Sequence, residues 1–374
     1  MRRRTFLGVS GLAGLALTTP IGGLSSALAA EWPPLGHRGD EEAALEPGLP
    51  IVDPHHHLWD VRGAAPRFML PDLLAEIRNG GHNIVQTVFI ECGSMYRAEG
   101  PPDMRYVGEV EFVNGVAAQS ASGQYGPTRV ASGIVGHADF TVGDRIQPLL
   151  DAELAAGDGR LRGIRMLFFW TDIPVMGEDH PALIAPKGIT ADPKVRQGMA
   201  QLASRNLSLD LGCFHPQLPE VADLASALPN VTMILNHMAT PLTIGRYAAK
   251  PDETFAEWKR GMTEVAKRPN VMMKLGGMGQ DWNYGIGHID PTTTSAALAQ
   301  QWKPWIETSI ELFGPQRCMF ESNFPVDQTT CSYGALWNAF KRITASYSAA
   351  EKATLYSGTA RRVYRLPPPP PVAA

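Results

Sequence analysis

Short apolar runs recur along the chain and alternate with longer segments in which apolar residues are spaced three or four positions apart. Runs that are apolar at nearly every position are typical of strands buried on both faces of a sheet. The amphipathic spacing of the longer segments predicts helices that cover such a sheet. The eight predicted strands are Ile51 to Asp53, Val85 to Cys92, Val130 to His137, Gly163 to Trp170, Leu207 to Phe214, Val231 to His237, Val271 to Leu275 and Cys318 to Ser322.

Predicted helices lie between these strands, so β and α units alternate along the chain. Eight such units predict an α/β fold of the (β/α)8 TIM barrel class. An open doubly wound sheet is the alternative, but no G-x-G-x-x-G motif follows the first strand and no P-loop sequence occurs, so its nucleotide-binding version loses its main support. The predicted helices are Leu70 to Asn79, Gly108 to Ala118, Val195 to Arg205, Pro219 to Leu228, Thr254 to Ala266, Ser295 to Phe313 and Tyr333 to Tyr347.

Both ends of the chain differ from this repeating body. Residues 1–30 start with Arg2, Arg3 and Arg4, continue as a Gly-rich and Ala-rich stretch without acidic residues, and end at Ala27-Leu28-Ala29, which is typical of a twin-arginine export signal. Residues 31–49 are interpreted as an N-terminal extension, 50–366 as the barrel domain and 367–374 as a proline-rich tail. We expect a periplasmic or secreted protein with no stable membrane span after cleavage. A cytosolic protein with a basic tail is the alternative.

Composition and charge narrow the range of partners. The 374 residues are 44% hydrophobic, which is enough for a large core, and the formal net charge is -4. Without a basic excess, the chain has no general attraction for nucleic acid or for an anionic membrane. Four cysteines without metal-binding spacing indicate buried thiols. We expect a small-molecule substrate and no nucleic-acid partner, while a homo-oligomer stays an open alternative.

Histidines occur at the predicted carboxyl ends of strands, where a barrel of this class carries its chemistry. The first strand runs into Asp53-Pro54-His55-His56-His57-Leu58-Trp59. In an extended backbone, the side chains of His55 and His57 point the same way, so two imidazoles can converge on one cation or substrate. His215 and His237 end the fifth and sixth strands. Together the four histidines indicate a functional site rather than core packing.

Three further motifs complete a resemblance to the amidohydrolase superfamily, in the amidohydrolase-2 branch that contains 2-pyrone-4,6-dicarboxylate lactonase, sugar lactonases and several nonoxidative decarboxylases. The resemblance spans about Ile51 to Leu366. The motifs are Leu235-Asn236-His237, Lys274-Leu275-Gly276-Gly277 and Met319-Phe320-Glu321-Ser322-Asn323-Phe324-Pro325-Val326-Asp327.

The resemblance also implies roles for the histidines. His55 and His57 match the H-x-H pair of the family, and His215 and His237 match its strand-five and strand-six positions. The fourth strand contains neither Lys nor Glu, so no bridging ligand for two metals is visible. We therefore expect at most one divalent ion, zinc or a similar metal, held weakly by His55, His57 and His215. Metal-independent chemistry is the alternative.

One position departs from the family pattern. Where much of the family has Asp at the end of strand eight, this chain has Asn323, and an amide neither carries negative charge nor acts as a base near neutral pH. Glu321 has the same strand parity and could supply the missing carboxylate, unless it forms a buried ion pair, and Asp327 could approach from the following loop. The predicted catalytic residues are His55, His57, His215, His237, Glu321 and Asn323.

The substrate side is predicted from one strand and several long loops. Arg165 in the fourth strand could hold a substrate carboxylate through two hydrogen bonds, or it could pair with Glu91 or Glu321. Tyr96 and Arg97, after the second strand, are the other predicted substrate-binding residues, although surface decoration of a loop also explains each of them. Later loops add an aromatic and basic rim: His180, Arg246, Tyr247, Trp282, Tyr284 and His288.

These features favour a hydrolase that opens a lactone, or a related ester-like bond, of a small carboxylated substrate by water attack at the histidine-lined mouth of the barrel. A nonoxidative decarboxylase is the first alternative, because the same cluster can hold a carboxylated substrate and protonate carbon. A noncatalytic periplasmic binding protein is the second, because Asn323 replaces a proton carrier.

Overall fold

A computed structural model describes residues 42–62, 65–173, 185–280 and 294–369. Its eight strands form one sheet in chain order, and every neighbouring pair is parallel. The predicted (β/α)8 TIM barrel is confirmed. The strands are β1 Ile51–His56, β2 Ile84–Ile90, β3 Arg129–His137, β4 Leu161–Leu167, β5 Ser208–Gly212, β6 Met233–Leu235, β7 Val271–Leu275 and β8 Cys318–Phe320.

Helices follow the strands and cover the outside of the barrel. The predicted segments all contain a helix, and α3 and the two short C-terminal helices are additions that the apolar spacing did not predict. The helices are α1 Leu70–Gly80, α2 Val107–Ala121, α3 Gln147–Ala156, α4 Pro193–Ser204, α5 Leu218–Ala227, α6 Pro251–Ala266, α7 Ser295–Phe313, α8 Tyr333–Ile343, α9 Ala349–Ala353 and α10 Thr359–Val363.

Local sequence signals set the starts of several helices. The side chains of Thr294 and Ser332 accept hydrogen bonds from backbone N–H groups in the first turns of α7 and α8. Ser348 and Glu351 form a reciprocal capping box at the start of α9. Such side chains satisfy N–H groups that have no partner inside the helix.

The seam between β1 and β8 brings the first and last motifs together. The backbone N–H of His57 donates to the carbonyl oxygen of Phe324 at 2.8 Å, which nearly closes the barrel. The buried carboxylate of Asp53 in β1 joins this strand to the segment after β8 and to α8. It accepts hydrogen bonds from the hydroxyls of Ser322 at 2.6 Å and Tyr333 at 3.0 Å. The H-x-H pair and Glu321 are therefore held on adjoining strands.

The interior of the barrel has two layers. We call the lower one the apolar layer; it includes Val52, Val88, Val135, Ile234, Met272 and Met319, with Tyr364 and Leu366 from the C-terminal segment. Two residues beyond Ile234, Met272 and Met319, the interior becomes polar. We call this the charged layer, and it consists of His55, Asp210, Asn236, Lys274 and Glu321, all of them buried.

Several features predicted from the sequence lie outside the described residues. These are the twin-arginine segment, the end of the proline-rich tail, and the loop residues His180, Trp282, Tyr284 and His288. Among the described helices, none combines the length and the apolar character needed to cross a bilayer.

Candidate active site

The H-x-H pair converges as its spacing predicts. The Nε2 atoms of His55 and His57 lie 3.2 Å apart, whereas His56 points to the other face of β1 and contacts the hydroxyl of Thr87 at 2.8 Å. His57 Nδ1 lies 2.8 Å from the carbonyl oxygen of Ile90. Because a carbonyl oxygen only accepts, His57 carries its proton on Nδ1, and its Nε2 is an acceptor facing His55.

His237 and Glu321 form a second pair beside the first. His237 Nδ1 lies 2.7 Å from Glu321 Oε1, and the backbone N–H of His237 donates to the same oxygen at 3.1 Å. A carboxylate only accepts, so the His237 proton is on Nδ1 and its Nε2 keeps a free lone pair. The ring of His237 packs against that of His55, with centroids 4.6 Å apart. The arrangement is that of a general base oriented by a carboxylate.

The backbone around His237 is unusual and depends on a glycine opposite. His237 has φ 54°, and the left-handed conformation continues through Met238, Ala239 and Thr240. This bend ends β6 two residues earlier than predicted and turns the imidazole toward Glu321. A Cβ on Gly277 would lie 2.0 Å from His237 Nδ1, so only glycine fits there. The Gly-Gly sequence after β7 is therefore part of the site.

Lys274 and Asp210 complete the charged layer. Lys274 Nζ lies 2.9 Å from Asp210 Oδ2, and both side chains are fully buried. Because β5 and β7 are not neighbours, this pair meets in the barrel interior. Asp210 Oδ2 also accepts from Tyr364 Oη at 2.7 Å and from Asn236 Nδ2 at 3.2 Å. Sequence reasoning missed this pair, although a lone Lys at inward parity in an apolar strand was a signal.

His55 Nδ1 lies between two opposite charges. Glu321 Oε2 is 2.7 Å away and Lys274 Nζ is 3.3 Å away, while Lys274 Nζ and Glu321 Oε2 are 3.9 Å apart. Burial, followed by the charge of Lys274, lowers the pKa of His55 well below its usual value. His55 is therefore a neutral ring whose tautomer depends on which neighbour its Nδ1 engages.

His215 has different surroundings from the other three histidines. Its Nδ1 accepts a hydrogen bond from the backbone N–H of Leu242 at 3.1 Å, so the proton is on Nε2. That Nε2–H is buried and has no hydrogen-bond partner among the described residues. Burial, followed by the charge of Arg246, lowers the pKa of His215 to about 3. His215 is thus a neutral ring with a free hydrogen-bond donor in this arrangement, and metal binding by His215 stays a prediction.

The donor of His215 lies next to a small apolar group. The ring of His215 meets that of Tyr247 edge-on, with centroids 4.7 Å apart. Tyr247 belongs to a separate buried cluster with Phe169, Ile173, Phe214 and Leu242, contributed by the segments that follow β4, β5 and β6. An unpaired donor beside apolar side chains costs free energy unless a ligand accepts its hydrogen bond.

Arg165 forms the ion pair that was the alternative to carboxylate binding. Its Nε donates to Glu91 Oε1 at 2.6 Å, and a second nitrogen donates to the backbone oxygen of Glu91. A second guanidinium lies nearby: Arg62 stacks on Trp59 and donates to the backbone oxygen of Cys92 at 3.0 Å. Sequence reasoning missed Arg62, because nothing in its local pattern distinguishes it from a surface residue.

Tyr96 and Arg97 diverge although they are adjacent. The ring of Tyr96 packs against Tyr106 and His137, the latter being 3.9 Å from Glu91. Tyr96 therefore lies on the Glu91 side of the site. Arg97 forms an exposed ion pair with Glu111 of α2, and its described contacts include none of the four histidines. Substrate binding by either residue stays a prediction.

Asn323 is held by the loop carboxylate that follows it. Its Nδ2 donates to Asp327 Oδ1 at 2.7 Å, and Asp327 Oδ2 accepts from the backbone N–H of Gly279 at 2.9 Å. The amide oxygen of Asn323 consequently faces away from Asp327. Asp327 thus orients Asn323 from behind, and Glu321 is the carboxylate that contacts the histidines.

The donor set fits one divalent ion. Two nitrogens bound to a tetrahedral zinc ion at about 2.0–2.1 Å lie about 3.3 Å apart, which matches the 3.2 Å between the Nε2 atoms of His55 and His57. Donor atoms of His55, His237 and Glu321 also lie within 4.8 Å of one another. Since both Glu321 oxygens contact imidazole Nδ1 atoms, Glu321 is better suited to compensate the charge of an ion through the rings than to bind it directly.

The family model described as Amidohydrolase matches residues 52–366. The chain belongs to the amidohydrolase family. The predicted family and its enzymatic character are thereby confirmed.

Similar proteins match over most of the chain. An uncharacterized protein of Sinorhizobium fredii, y4mH, is 32% identical over 340 residues, which cover 85% of this chain and 99% of that protein. The L-fucono-1,5-lactonase of Burkholderia multivorans is 26% identical over 333 residues, covering 85% and 97%. A solved zinc-bound amidohydrolase from Burkholderia multivorans is 25% identical, with a TM-score of 0.63, and covers 85% of this chain and 99% of that one.

Proposed function

We propose that this amidohydrolase opens the ring of a small lactone by hydrolysis. The observation that carries the proposal is the contrast between the hydrogen-bond partners of two histidines at the barrel mouth. His237 Nδ1 is bound to Glu321, so its Nε2 can accept a proton, whereas His215 Nδ1 accepts from Leu242, so its Nε2–H can donate. Ester hydrolysis needs a base for water and a donor for the carbonyl oxygen.

The proton path follows from these atoms. His237 Nε2 accepts a proton as the water oxygen bonds to the lactone carbonyl carbon, and Glu321 stabilises the resulting imidazolium through Nδ1–H. His215 Nε2–H donates to the carbonyl oxygen as it gains charge. When the bond from that carbon to the ring oxygen breaks, His237 returns the proton to the leaving oxygen. The product is a hydroxy acid.

A divalent ion, when bound, would be held by His55 and His57 through Nε2 and would polarise the carbonyl as a Lewis acid. Glu321 would compensate its charge from the Nδ1 side of His55, 2.7 Å away. In this role, His55 and His57 orient the carbonyl, and His237 keeps the proton-transfer role.

We propose that the substrate is the lactone of a sugar acid. The lactone of a dicarboxylic acid is the second choice. The likeness to L-fucono-1,5-lactonase supports this order. Glu91 already occupies two donors of Arg165, so a substrate carboxylate would compete with a buried ion pair. The carboxylated substrate predicted from the sequence remains the second choice within the same reaction.

The test is a hydrolysis panel of sugar 1,5-lactones, γ-lactones and a pyrone carboxylate, with acid release and CO2 measured together. Acid release without CO2 supports the proposal; CO2 release supports a decarboxylase, and binding without turnover a noncatalytic protein. His215→Asn keeps an acceptor for Leu242 but loses the Nε2 donor, so we expect kcat to fall by about 10²-fold. His215→Gln, which can place a donor near the Nε2 position, should lose less.

We also propose that the enzyme acts outside the cytoplasm, which rests on the Arg2-Arg3-Arg4 segment and the small residues before Ala29. N-terminal sequencing of the protein from its native host is the measurement. A mature chain beginning near residue 30 supports export, and an intact Met1 contradicts it.

A further inference from the structure

His55 Nδ1 has two charged neighbours, Lys274 and Glu321, and only Lys274 is in hydrogen-bonding geometry. Lys274 Nζ lies 3.3 Å from His55 Nδ1 in hydrogen-bonding geometry. Glu321 Oε2 is closer, at 2.7 Å, but this is an ionic contact, and Oε2 has no hydrogen-bond partner among the described residues. An ammonium group only donates, so His55 Nδ1 accepts from Lys274 and the ring proton is on Nε2.

This tautomer completes a chain of hydrogen bonds through the H-x-H pair. Lys274 donates to His55 Nδ1, His55 Nε2–H donates to His57 Nε2 across 3.2 Å, and His57 Nδ1–H donates to the backbone oxygen of Ile90 at 2.8 Å. All four ring nitrogens are used. A metal ion between the rings needs a lone pair on both Nε2 atoms. The chain and the ion therefore exclude each other.

We propose that Lys274 is a positioning residue that keeps the H-x-H pair closed to divalent metal by holding His55 in its Nε2–H tautomer. For an ion to bind, the His55 proton moves from Nε2 to Nδ1 and is donated to Glu321 Oε2, which is 2.7 Å away and without a hydrogen bond. The number of protons on the ring does not change. The inference is independent of which bond the enzyme cleaves.

Lys274 is suited to this role because it is held in place. Its ammonium group is fully buried and is fixed by Asp210 at 2.9 Å. Asp210 is fixed in turn by Tyr364 and Asn236. Withdrawing Lys274 from His55 would leave a buried ammonium group with one hydrogen bond fewer, which is unfavourable away from water.

The test is to titrate the metal-free enzyme with divalent ions. Binding of Co²⁺ is measured by its visible absorption, and binding of Zn²⁺ is measured by calorimetry. Lys274→Met removes the donor with a side chain of similar length, and we expect the Kd for either ion to fall at least 10-fold. An unchanged or higher Kd would overturn the proposal. Tyr364→Phe is the matched control: it removes one donor to Asp210, but Lys274 and Asn236 still hold that carboxylate. Lys274 should therefore stay on His55, and the Kd should be unchanged.

Loss of a positive charge could by itself strengthen metal binding, so a charge-matched variant is needed. Lys274→Met with Asp210→Asn removes both members of the pair and leaves the net charge unchanged. The positioning role predicts that the tighter binding persists in this double variant, whereas a simple charge effect predicts that it disappears. The double variant also avoids an unpaired buried carboxylate if the single variant does not fold.

A second measurement uses the unaltered protein. In the metal-free enzyme, ¹⁵N–¹H correlation of the imidazole rings should show His55 protonated on Nε2, and addition of Zn²⁺ should move that proton to Nδ1. Protonation of His55 on Nδ1 before any metal is added would overturn the proposal.

Discussion

The two interior layers of the barrel are built by the same strands but differ in chemistry. In β7, the buried Met272 is followed two residues later by the buried charge of Lys274. In the same way, Met319 of β8 is followed two residues later by the buried charge of Glu321. Below, the C-terminal segment fills the barrel with Tyr364 and other apolar groups. Above, the strand ends present the histidines.

This contrast explains why the charged groups of the upper layer lie against one another. The apolar layer excludes water from beneath it, so charges above it are stabilised mainly by one another. Lys274 pairs with Asp210, and Glu321 contacts His55 and His237. We therefore expect changes in the charged layer to act on chemistry, and changes in the apolar layer to act on stability alone.

The largest effect should come from Glu321→Gln. This nearly isosteric change keeps an acceptor for His237 Nδ1–H but removes the negative charge that stabilises the imidazolium. We expect kcat to fall roughly 10²-fold or more, the usual scale for impairing a general base. Steady-state kinetics on the lactone identified by the panel measures it.

The matched control lies two residues earlier on the same strand. Met319→Leu should leave kcat unchanged and cost less than about 1.5 kcal/mol of unfolding free energy, because it conserves apolar volume. Equal kinetics in Glu321→Gln and the wild type would remove Glu321 from the mechanism and leave His237 without an orienting charge.

A smaller effect is expected from the apolar layer. Ile234→Val removes one buried methylene group from β6, two residues before Asn236. We expect about 1 kcal/mol of lost stability in urea unfolding and unchanged kcat and KM. A rate loss comparable to that of Glu321→Gln would show that the two layers are not separable in function.

The parts that the sequence pattern predicts are those set by local geometry. Eight apolar runs predict the eight strands, because a strand buried on both faces is apolar throughout. The convergence of His55 and His57 follows from the two-residue repeat of a strand, even though the register of β1 shifts between Asp53 and His56. Inward parity also places Glu321 among the histidines although β8 ends at Phe320.

The features of the site that the sequence pattern does not predict depend on contacts between residues far apart in the chain. Lys274 meets Asp210 across the barrel, from strands that do not pair, so no local pattern reveals it. The proton position on His215 is set by a backbone N–H of Leu242, in the segment after β6. Arg97 pairs with Glu111 of α2, a choice of rotamer and partner that its loop sequence does not specify. The tautomers of the histidines and the partners of the loop side chains therefore could not be predicted from the sequence.

The smallest expected effect tests the opposite face of the barrel, where stability rather than chemistry is expected to depend on a histidine. His82 precedes β2; its Nδ1 lies 2.8 Å from Lys341 Nζ and its Nε2 lies 3.2 Å from the backbone oxygen of Gly334. Burial, followed by the charge of Lys341, lowers the pKa of His82 from 6.5 to about 4. The folded state therefore keeps His82 neutral where the unfolded chain already binds a proton.

The stability that this histidine contributes is thus fully present above pH 6.5 and is lost as the pH falls from 6.5 toward 4. His82→Gln cannot take up the proton, so its unfolding free energy should fall less steeply with acid than that of the wild type. We expect the difference between the two curves to be less than about 1 kcal/mol between pH 7.5 and 6. Urea unfolding at a series of pH values measures it. Parallel curves would show that His82 contributes no pH-dependent stability. A change in kcat at pH 7.5 would show that His82 also affects the active site at the other end of the barrel.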